Sequence, residues 1–352
     1  MALKLHPLLN DPNAVLVYRA AVAASPDWQD FRRAAHEVLA AMHVTLGEDR
    51  VVIKPNLTSG EHFADPDSGI TTHPAFVGGI VEYLRAHGAR RDGIYIVEDP
   101  RDSDDFNPRH WRGTGYLEMA AETGAKLRCP ISYSCVKKVV PHPLVHPVRN
   151  VSRLAVAPDT VLVNVPKMKT HNLAITSLCL KNLMGLDDVW DRHYCAQAWK
   201  ELPPERVHDD RPKNEWMDEA LHERWQEGLA CRLTDLAQVI QPALNMVEGV
   251  VGRDGTGFHR GRNYPLGLVV AGLNMVAVDS VTSYLMGFDP QRLVYLRIAA
   301  EAGLGCNDLA RLHVYTVVEG AIVPCEDLAA MRTQPRFQVI RDILGEVTWG
   351  EA

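Results

Sequence analysis

Short apolar runs alternate with longer amphipathic segments along this chain, and this alternation limits the folds that it can adopt. An apolar run at residues 14–18 is followed by an amphipathic segment at 27–44 and a second apolar run at 51–53. Amphipathic spacing predicts a helix, and a short apolar run predicts a buried strand. Strands that are joined through helices pair in parallel, because each connection has to cross the sheet. The pattern predicts an α/β fold with a mainly parallel sheet flanked by helices.

The same alternation continues to the end of the chain, with one interruption. It predicts further strands at 93–97, 161–165, 244–247, 266–271 and 312–318, and further helices at 74–87, 116–123, 173–184, 229–240, 274–286 and 291–302. Residues 187–228 are instead rich in Trp, His, Pro, Arg and acidic residues, which is typical of a long excursion from a core. We expect a single large α/β domain over residues 1–352, with an insertion or lid at 187–228.

Charge and hydropathy limit the possible partners. The formal net charge is −7 and no long basic run is present, which argues against a dedicated nucleic-acid binder. No apolar stretch reaches the roughly 20 residues that cross a bilayer, and the N-terminus lacks the pattern of a secretion signal. We expect a cytoplasmic protein that binds a small molecule and not a membrane, and an oligomer is possible.

The cysteines and glycines exclude several cofactors. None of the seven cysteines forms a C-x-x-C pair, so the chain has no motif for an iron–sulfur cluster. The glycine-rich segment at 249–257 is followed by polar residues instead of a helix, so it lacks the nicotinamide or flavin fingerprint. Gly255 and Gly257 are predicted either to form a structural turn or to bring the backbone close to a ligand.

The segment from 162 to 185, LVNVPKMKTHNLAITSLCLKNLMG, sends cations out of the end of an apolar strand. Ligands of α/β proteins bind where parallel strands end, and a set of cations there indicates an anion. The residues concerned are Lys167, Lys169, Thr170, His171, Lys181 and Asn182. The alternative is that the lysine stems cross apolar surface and their charges are solvated.

A second polar group follows the strand at 51–53. Lys54 and Asn56 leave that strand, and Thr72 or His73 would cap a helix that begins at Pro74. Free N–H groups at a helix start favour anions, so these four residues could form an anion cradle. The alternative is a simple cap with a solvated Lys54.

An acidic group at the start of the insertion suggests a metal. The sequence LDDVWD places Asp187, Asp188 and Asp191 in the D-D-x-x-D spacing that holds Mg²⁺ against a diphosphate when it lies on a helix. Imidazole groups widen the choice to iron, manganese or zinc, and the candidate ligands are His193, His208 and Asp209. A solvated helix start is the alternative. Further on, Asp279 either caps a helix or pairs with Lys181 or Lys169.

Five blocks of this chain resemble the family catalogued as domain of unknown function 362. They are VVIKPNL, TTHP with GIYIVED, LVNVPKMKTH with LKNLMG, VEGVVGRDGTG and VAGLNMVAVDSVTSYLMG, and they lie between about residues 50 and 290. Many members of that family carry ferredoxin-like cysteine runs, and this chain has none. More distantly, the layout of a strand followed by KPN, then TTHP and a helix, is similar to the N-terminal half of nickel-dependent lactate racemases, whose lysines and histidines serve a carboxylate substrate.

These patterns predict a metal-assisted lyase, isomerase or transferase for an anionic small molecule, either a carboxylate or a phosphate or diphosphate. Lys167 and Lys169 would neutralise the anion, His171 would transfer protons, and Lys181 would orient or activate the substrate. A divalent metal, Mg, Mn or Fe, would stabilise developing negative charge. Two alternatives stay open: a non-catalytic accessory protein that binds a metal or an anion, and a redox enzyme with mononuclear iron.

Overall fold

A computed structural model describes residues 3–47, 49–57, 65–90, 93–98, 111–130, 134–188, 219–258 and 260–341. Within them lie the strands β1 Ala14–Arg19, β2 Arg50–Pro55, β3 Ile94–Val97, β4 Lys126–Arg128, β5 Cys135–Val139, β6 Val148–Ser152, β7 Thr160–Val165, β8 Lys167–His171, β9 Ile175–Ser177, β10 Leu244–Arg253, β11 Asn263–Gly272, β12 His313–Val318 and β13 Ala321–Pro324. The helices are α1 Trp28–Ala41, α2 Pro74–Ala86, α3 Tyr116–Thr123, α4 Cys179–Asn182, α5 Glu219–Val239, α6 Met275–Met286 and α7 Val294–Glu301.

Eleven strands form one mixed, mostly parallel sheet, which confirms the predicted α/β class. Its main path runs β13-β12-β1-β11-β10-β7-β2-β3-β4, and β8 extends from β10 with β9 at its side. Strands β10, β7, β2, β3 and β4 run parallel, whereas β11 lies antiparallel to both of its neighbours, β1 and β10. Strands β5 and β6 form a separate hairpin.

The sheet separates two hydrophobic cores. Successive residues of a strand face opposite sides, so Val15 and Val17 pack in one core and Leu16 in the other. One core contains residues of α1, α2 and α3, and the other contains residues of α4, α5, α6 and α7. Helices therefore cover both faces, as the apolar runs predict for parallel strands.

The predicted helix at 173–184 is wrong over most of its length. The chain there forms the end of a β-hairpin, β8 with β9, and only Cys179–Asn182 is α-helical. An apolar run that is buried on every side satisfies a helical pattern and a strand pattern equally, so periodicity does not distinguish them. Strand β10 also extends to Arg253, beyond the predicted 244–247, so that Glu248 lies in a strand and not in a turn.

The predicted lid ends earlier than expected. Helix α5 begins at Glu219, ten residues before the predicted helix start, and within it Trp225 is buried in the core. The neighbouring Gln226 side chain donates to the carbonyl oxygen of Leu173 at 2.7 Å. Trp225 and Gln226 of the predicted lid therefore pack with the core. The rest of the predicted lid after Asp188, residues 189–218, lies outside the described residues.

Candidate functional site

Three lysines and two glutamates lie buried where neighbouring strands end. Lys54 is the second-last residue of strand β2, Glu98 follows β3, and β7 leads through Pro166 into β8 with Lys167 and Lys169. Glu248 lies in β10, in register with Lys167. Each of the five side chains is buried. We call Lys54, Lys167, Lys169, Glu98 and Glu248 the lysine cluster; its formal charges sum to +1.

Lys54 is held by three acceptors. Its Nζ forms an ion pair with Glu98 and donates to the carbonyl oxygen of Pro55 at 2.6 Å and to Oδ1 of Asn182 at 3.2 Å. Gly185 lies against this pair, because a Cβ atom there would stand 2.7 Å from the Lys54 Nζ and closer still to Glu98. The glycine of the K-N-x-x-G block is thus explained by the space that the ion pair occupies.

A chain of asparagine amides connects Lys54 to the centre of the sheet. Asn182 donates through Nδ2 to the Lys54 carbonyl oxygen at 2.9 Å and to Oδ1 of Asn164 at 2.8 Å. Asn164 in turn donates to Oδ1 of Asn245 at 3.0 Å. These bonds fix the orientation of each amide, so Asn182 is set to accept from Lys54. Asn164 and Asn245 were not predicted to belong to the site.

Lys167 pairs with Glu248 on the other side of the cluster. The Nζ–Oε2 distance is 2.6 Å, and the other carboxylate oxygen accepts from the backbone N–H of Val250 at 3.0 Å. Burial lowers the pKa of Lys167, and the negative charge of Glu248 opposes that shift. The pair therefore brings an acidified ammonium and a carboxylate within one hydrogen bond of each other.

His73 caps helix α2. The sequence predicted either Thr72 or His73 as this cap. Its Nδ1 accepts from the N–H of Ala75 at 3.1 Å, and its ring stacks on Phe31 with centroids 3.8 Å apart. Burial, followed by the positive charge of Lys167, lowers the pKa of His73 to about 3. The ring is therefore neutral near pH 7 and contributes a cap instead of a charge.

Thr72 joins two strand ends instead of capping the helix. Its hydroxyl donates to the carbonyl oxygen of Val165 at 2.7 Å and accepts from the backbone N–H of Asn56 at 2.9 Å. The Thr72 N–H donates to the Asn56 carbonyl oxygen at 2.8 Å. Thr72 and Asn56 thus hold the ends of β2 and β7 together beside Lys54 and Lys167.

Lys169 and His171 lie on β8 against the glycine-rich loop. The Lys169 Nζ donates to the Ile70 carbonyl oxygen at 2.9 Å and lies 4.8 Å from the centre of the Phe258 ring. His171 accepts at Nδ1 from the N–H groups of Leu173 and Ala174, at 3.0 and 3.2 Å. Nδ1 is therefore occupied, and a neutral His171 ring carries its proton on Nε2.

The glycine-rich loop packs directly on Thr170. The Thr170 hydroxyl donates to the Gly255 carbonyl oxygen at 2.9 Å. Gly257 has a φ of +75°, and a Cβ atom there would collide with the Thr170 carbonyl oxygen. Gly257 therefore permits a close backbone contact with β8, and Gly255 permits one within the loop itself, at Arg260, which supports the structural-turn interpretation of this segment.

Asp279 bonds to backbone groups and does not form the ion pair with Lys181 that was one of its predicted roles. Lys181 lies half-buried in the last turn of α4. The two carboxylate oxygens of Asp279 accept from the N–H groups of Cys179 and Leu180 at 2.7 and 3.0 Å. Burial raises the pKa of Asp279 to about 7. Asp279 is therefore a cap, of the first turn of α4 and not of its own helix.

The described part of the predicted metal site is held by protein groups. Asp187 forms a buried ion pair with Arg149, and Asp188 accepts from the Asn150 amide. Asp187 lies in an isolated β-bridge with Val151 and not at a helix start. The other predicted ligands, Asp191, His193, His208 and Asp209, lie outside the described residues. Among the residues that the structure describes, no three His, Cys, Asp or Glu side chains are grouped as a metal site requires.

Two acids and a tyrosine of the site were missing from the predicted set. Glu98 and Glu248 could have been found, because each directly follows an apolar run in the sequence, as Lys54 does. Tyr116 donates to the Thr72 carbonyl oxygen at 3.0 Å, and burial, with the charges of both glutamates, raises its pKa well above the usual value. No local pattern identifies Tyr116, which begins an ordinary amphipathic helix.

The comparisons with known proteins agree with the resemblance in the sequence blocks. The family model described as "Domain of unknown function (DUF362)" matches residues 51–284, and the chain belongs to this family. A relative, the thylakoid-associated protein sll1697 of Synechocystis sp., is 24% identical over 262 residues, which are 74% of this chain and 70% of the relative. No solved structure gives a significant match. Among the described residues, none of the helices has the length and apolar character needed to cross a membrane.

Proposed function

We propose that this member of the DUF362 family is an enzyme that acts on an anionic small molecule, a carboxylate or a phosphate ester, at the lysine cluster. One observation carries the proposal: three buried lysines, two of them paired with buried glutamates, lie at or just beyond the carboxyl ends of the neighbouring parallel strands β2 and β7. Lysine ammonium groups supply the positive charge and the hydrogen-bond donors that a carboxylate or phosphate group needs. Strand ends of this kind are also where α/β proteins bind ligands.

Lys169 is the best candidate for the group that binds the anion. Its Nζ donates to the Ile70 carbonyl oxygen and lies 4.8 Å from the centre of the Phe258 ring, beside the glycine-rich loop. An anion next to its Nζ would gain a charge-assisted hydrogen bond, which is about twice as strong as a neutral one. Lys54 and Lys167 would add to the positive field through their positions on the neighbouring strands.

Proton transfer is assigned to His171 and to the Lys167–Glu248 pair. His171 has Nδ1 occupied by backbone N–H groups, so a proton would move at Nε2. Lys167 has a pKa lowered by burial, which makes its ammonium a better acid at neutral pH. An acid and a base at one site suit a lyase or isomerase, and a phosphate substrate would suit a transferase.

The proposal includes a divalent ion, Mg, Mn or Fe. Its ligands would have to come from residues outside the described part of the chain. Asp187 and Asp188 already bond to Arg149 and Asn150, so the donors for a metal would be Asp191, His193, His208 and Asp209. Such an ion would supply stabilisation of negative charge on the substrate. Metal analysis of protein purified without chelator tests this part separately, and iron together with oxygen-dependent turnover would favour the redox alternative.

The test combines a ligand screen with two variants. The full chain is screened by thermal shift against small carboxylates and phosphate esters, with and without Mg²⁺ or Mn²⁺, and each hit is followed by NMR for consumption. Lys169→Met should weaken binding of the hit about tenfold or more. His171→Gln should keep binding within about threefold and lower turnover by about 100-fold, the size of a general acid–base contribution.

A matched control removes an exposed charge. Lys137 lies on β5, exposed to solvent, so Lys137→Met should leave binding and turnover unchanged. Retained turnover in both Lys169→Met and His171→Gln would contradict the assignment.

A second candidate function is a non-catalytic accessory protein that binds the same anion or a metal. The two ion pairs favour it, because Lys54 and Lys167 already have carboxylate partners and need no substrate to balance them. A hit that binds at the cluster and stays chemically unchanged, with and without metal, would select this candidate.

A further inference from the structure

A cavity of about 510 Å³ lies at the end of β1, apart from the lysine cluster. Strand β1 runs parallel to β7, since β11 is antiparallel to both β1 and β10, so Arg19 at the end of β1 lies at the same edge of the sheet as Pro55 and Val165. The cavity is lined by Arg19, Pro265, Leu266, Leu268 and residues 330–334. Its volume lies within the range of small-molecule sites.

Two polar atoms of the residues that line this cavity are buried and have no hydrogen-bond partner in the described protein. The hydroxyl of Thr333 and the Nε of Arg332 both have no hydrogen-bond partner among the described residues. Thr333 is only 4% exposed. Leaving a buried donor or acceptor unpaired costs about 1–3 kcal/mol, so a pair of such groups in one wall indicates that something else satisfies them.

Both side chains are held in place by α6. The backbone N–H of Thr333 donates to the Leu285 carbonyl oxygen at 2.8 Å. The Arg332 guanidinium lies 4.9 Å from the centre of the Tyr284 ring. Arg19 reaches across the cavity, donating to the carbonyl oxygens of Leu266 and Met331 at 3.3 and 3.5 Å. Three of the five donors of a guanidinium then stay available on Arg19.

The chemistry of the lining selects the ligand. It contains two arginines and no acidic residue, together with the apolar side chains of Pro265, Leu266, Leu268 and Met331. Arginine binds phosphate and carboxylate groups with two parallel hydrogen bonds. We propose that this cavity, which we call the Arg332 cavity, binds a small organic anion, with its phosphate or carboxylate on Arg332, Arg19 and Thr333 and its apolar part on the leucines.

The cavity wall is continuous with the loop that packs on the lysine cluster. A few residues after Thr333, the Gln338 carbonyl oxygen accepts from the N–H of Gly255 at 2.8 Å, and Gly255 in turn accepts from Thr170. The proposed site therefore has its own hydrogen-bond donors, although the chain that follows its wall also contacts the glycine-rich loop that packs on Thr170. Its occupancy does not depend on the function proposed for the cluster.

Calorimetric titration of the full chain with butyl phosphate, at low ionic strength and without other phosphate, tests the proposal. Wild type and Lys169→Met should both bind it, because Lys169 belongs to the cluster. Arg332→Met should weaken binding about tenfold or more, and Thr333→Val several-fold. Arg311→Met removes a solvent-exposed arginine outside the cavity and should change nothing.

Thermal unfolding separates a lost ligand contact from a lost fold. Thr333→Val replaces an unsatisfied hydroxyl by a methyl group of similar size, so its melting temperature should equal or exceed that of wild type. Two results would overturn the proposal: wild type that binds no butyl phosphate, or binding that survives unchanged in Arg332→Met or Thr333→Val. A melting temperature that falls in Thr333→Val would show that the hydroxyl is already satisfied and would also overturn it.

Discussion

The lysine cluster and the Arg332 cavity lie at the same edge of one sheet but differ in how their buried polar groups are bonded. In the cluster, Lys54 and Lys167 are paired with glutamates from other strands, and Glu248 also accepts a backbone N–H. In the cavity, the Thr333 hydroxyl and Arg332 Nε have no partner among the described residues. The cluster pairs Lys54 and Lys167 with carboxylates, whereas the lining of the cavity contains no acidic residue.

This difference changes what kind of evidence each region offers for a ligand. A paired cluster is stable without a ligand, so only its lysines and its place at strand ends argue for an anion. An unsatisfied wall costs free energy as it stands, so the deficit itself argues for an occupant. Variants that remove a polar group should therefore lower the stability of the protein when the group belongs to the cluster. They should change its stability little when the group belongs to the cavity.

The largest effect is expected from breaking the Lys54–Glu98 pair. Lys54→Met leaves the Glu98 carboxylate buried without its ammonium partner and should lower the free energy of unfolding by about 3–5 kcal/mol. Adding Glu98→Gln should restore much of that loss, because the stranded charge is then gone. Urea unfolding of the single and double variants measures both steps, and a single variant as stable as wild type would show that the pair contributes nothing.

A pH dependence should separate His73 from the rest of the cluster. The pKa of His73 is about 3 in the folded chain and near 6.5 when unfolded, so from pH 6.5 downward only the unfolded state takes up the proton. Stability is therefore lost as the pH falls, by about 1.4 kcal/mol per pH unit. Asp279, with a raised pKa, acts in the opposite direction and partly masks this slope.

His73→Asn keeps a capping side chain and removes the titrating ring. The difference in unfolding free energy between wild type and His73→Asn should therefore fall by about 2 kcal/mol between pH 7 and pH 5. Because Asp279 is present in both proteins, it cancels from the difference. A difference that stays constant over this range would mean that His73 is not held neutral.

A smaller loss is expected where a methyl group would enter the cluster. Gly185→Ala places a Cβ atom against the Lys54–Glu98 pair and should cost about 2 kcal/mol, as overpacking of a filled interior usually does. Chemical unfolding measures the loss. If Gly185→Ala unfolded at the same denaturant concentration as wild type, the close packing around the ion pair would be refuted.

The smallest effect should come from two matched threonines. Thr72→Val removes a hydroxyl with two partners and should cost about 1–3 kcal/mol, whereas Thr333→Val removes one without a described partner and should change stability by less than about 1 kcal/mol. Melting temperatures of the two variants give the comparison. Equal losses would erase the distinction between the two regions.

Much of the fold could be predicted because it follows local rules. The segments that became β1, β2, β7, α2, α3 and α6 have clear periods, caps or stop signals, and their predicted bounds lie close to the observed ones. The segment at 173–184 could not be assigned, because a run buried on all sides has no polar face to set its period. The hairpin of β8 and β9 there depends on pairing with β10, which lies about 80 residues away.

The candidate site divides in the same way. By its local pattern, the sequence placed Lys54, Lys167 and Lys169 at strand ends, because a polar residue that follows an apolar run is visible without any partner. Only the tertiary structure decided that Glu98 and Glu248 neutralise two of them, that Asp279 caps α4, and that Arg19 faces residues 330–334. These contacts join segments far apart in the chain, and the order of strands in the sheet, which no local period encodes, brings them together.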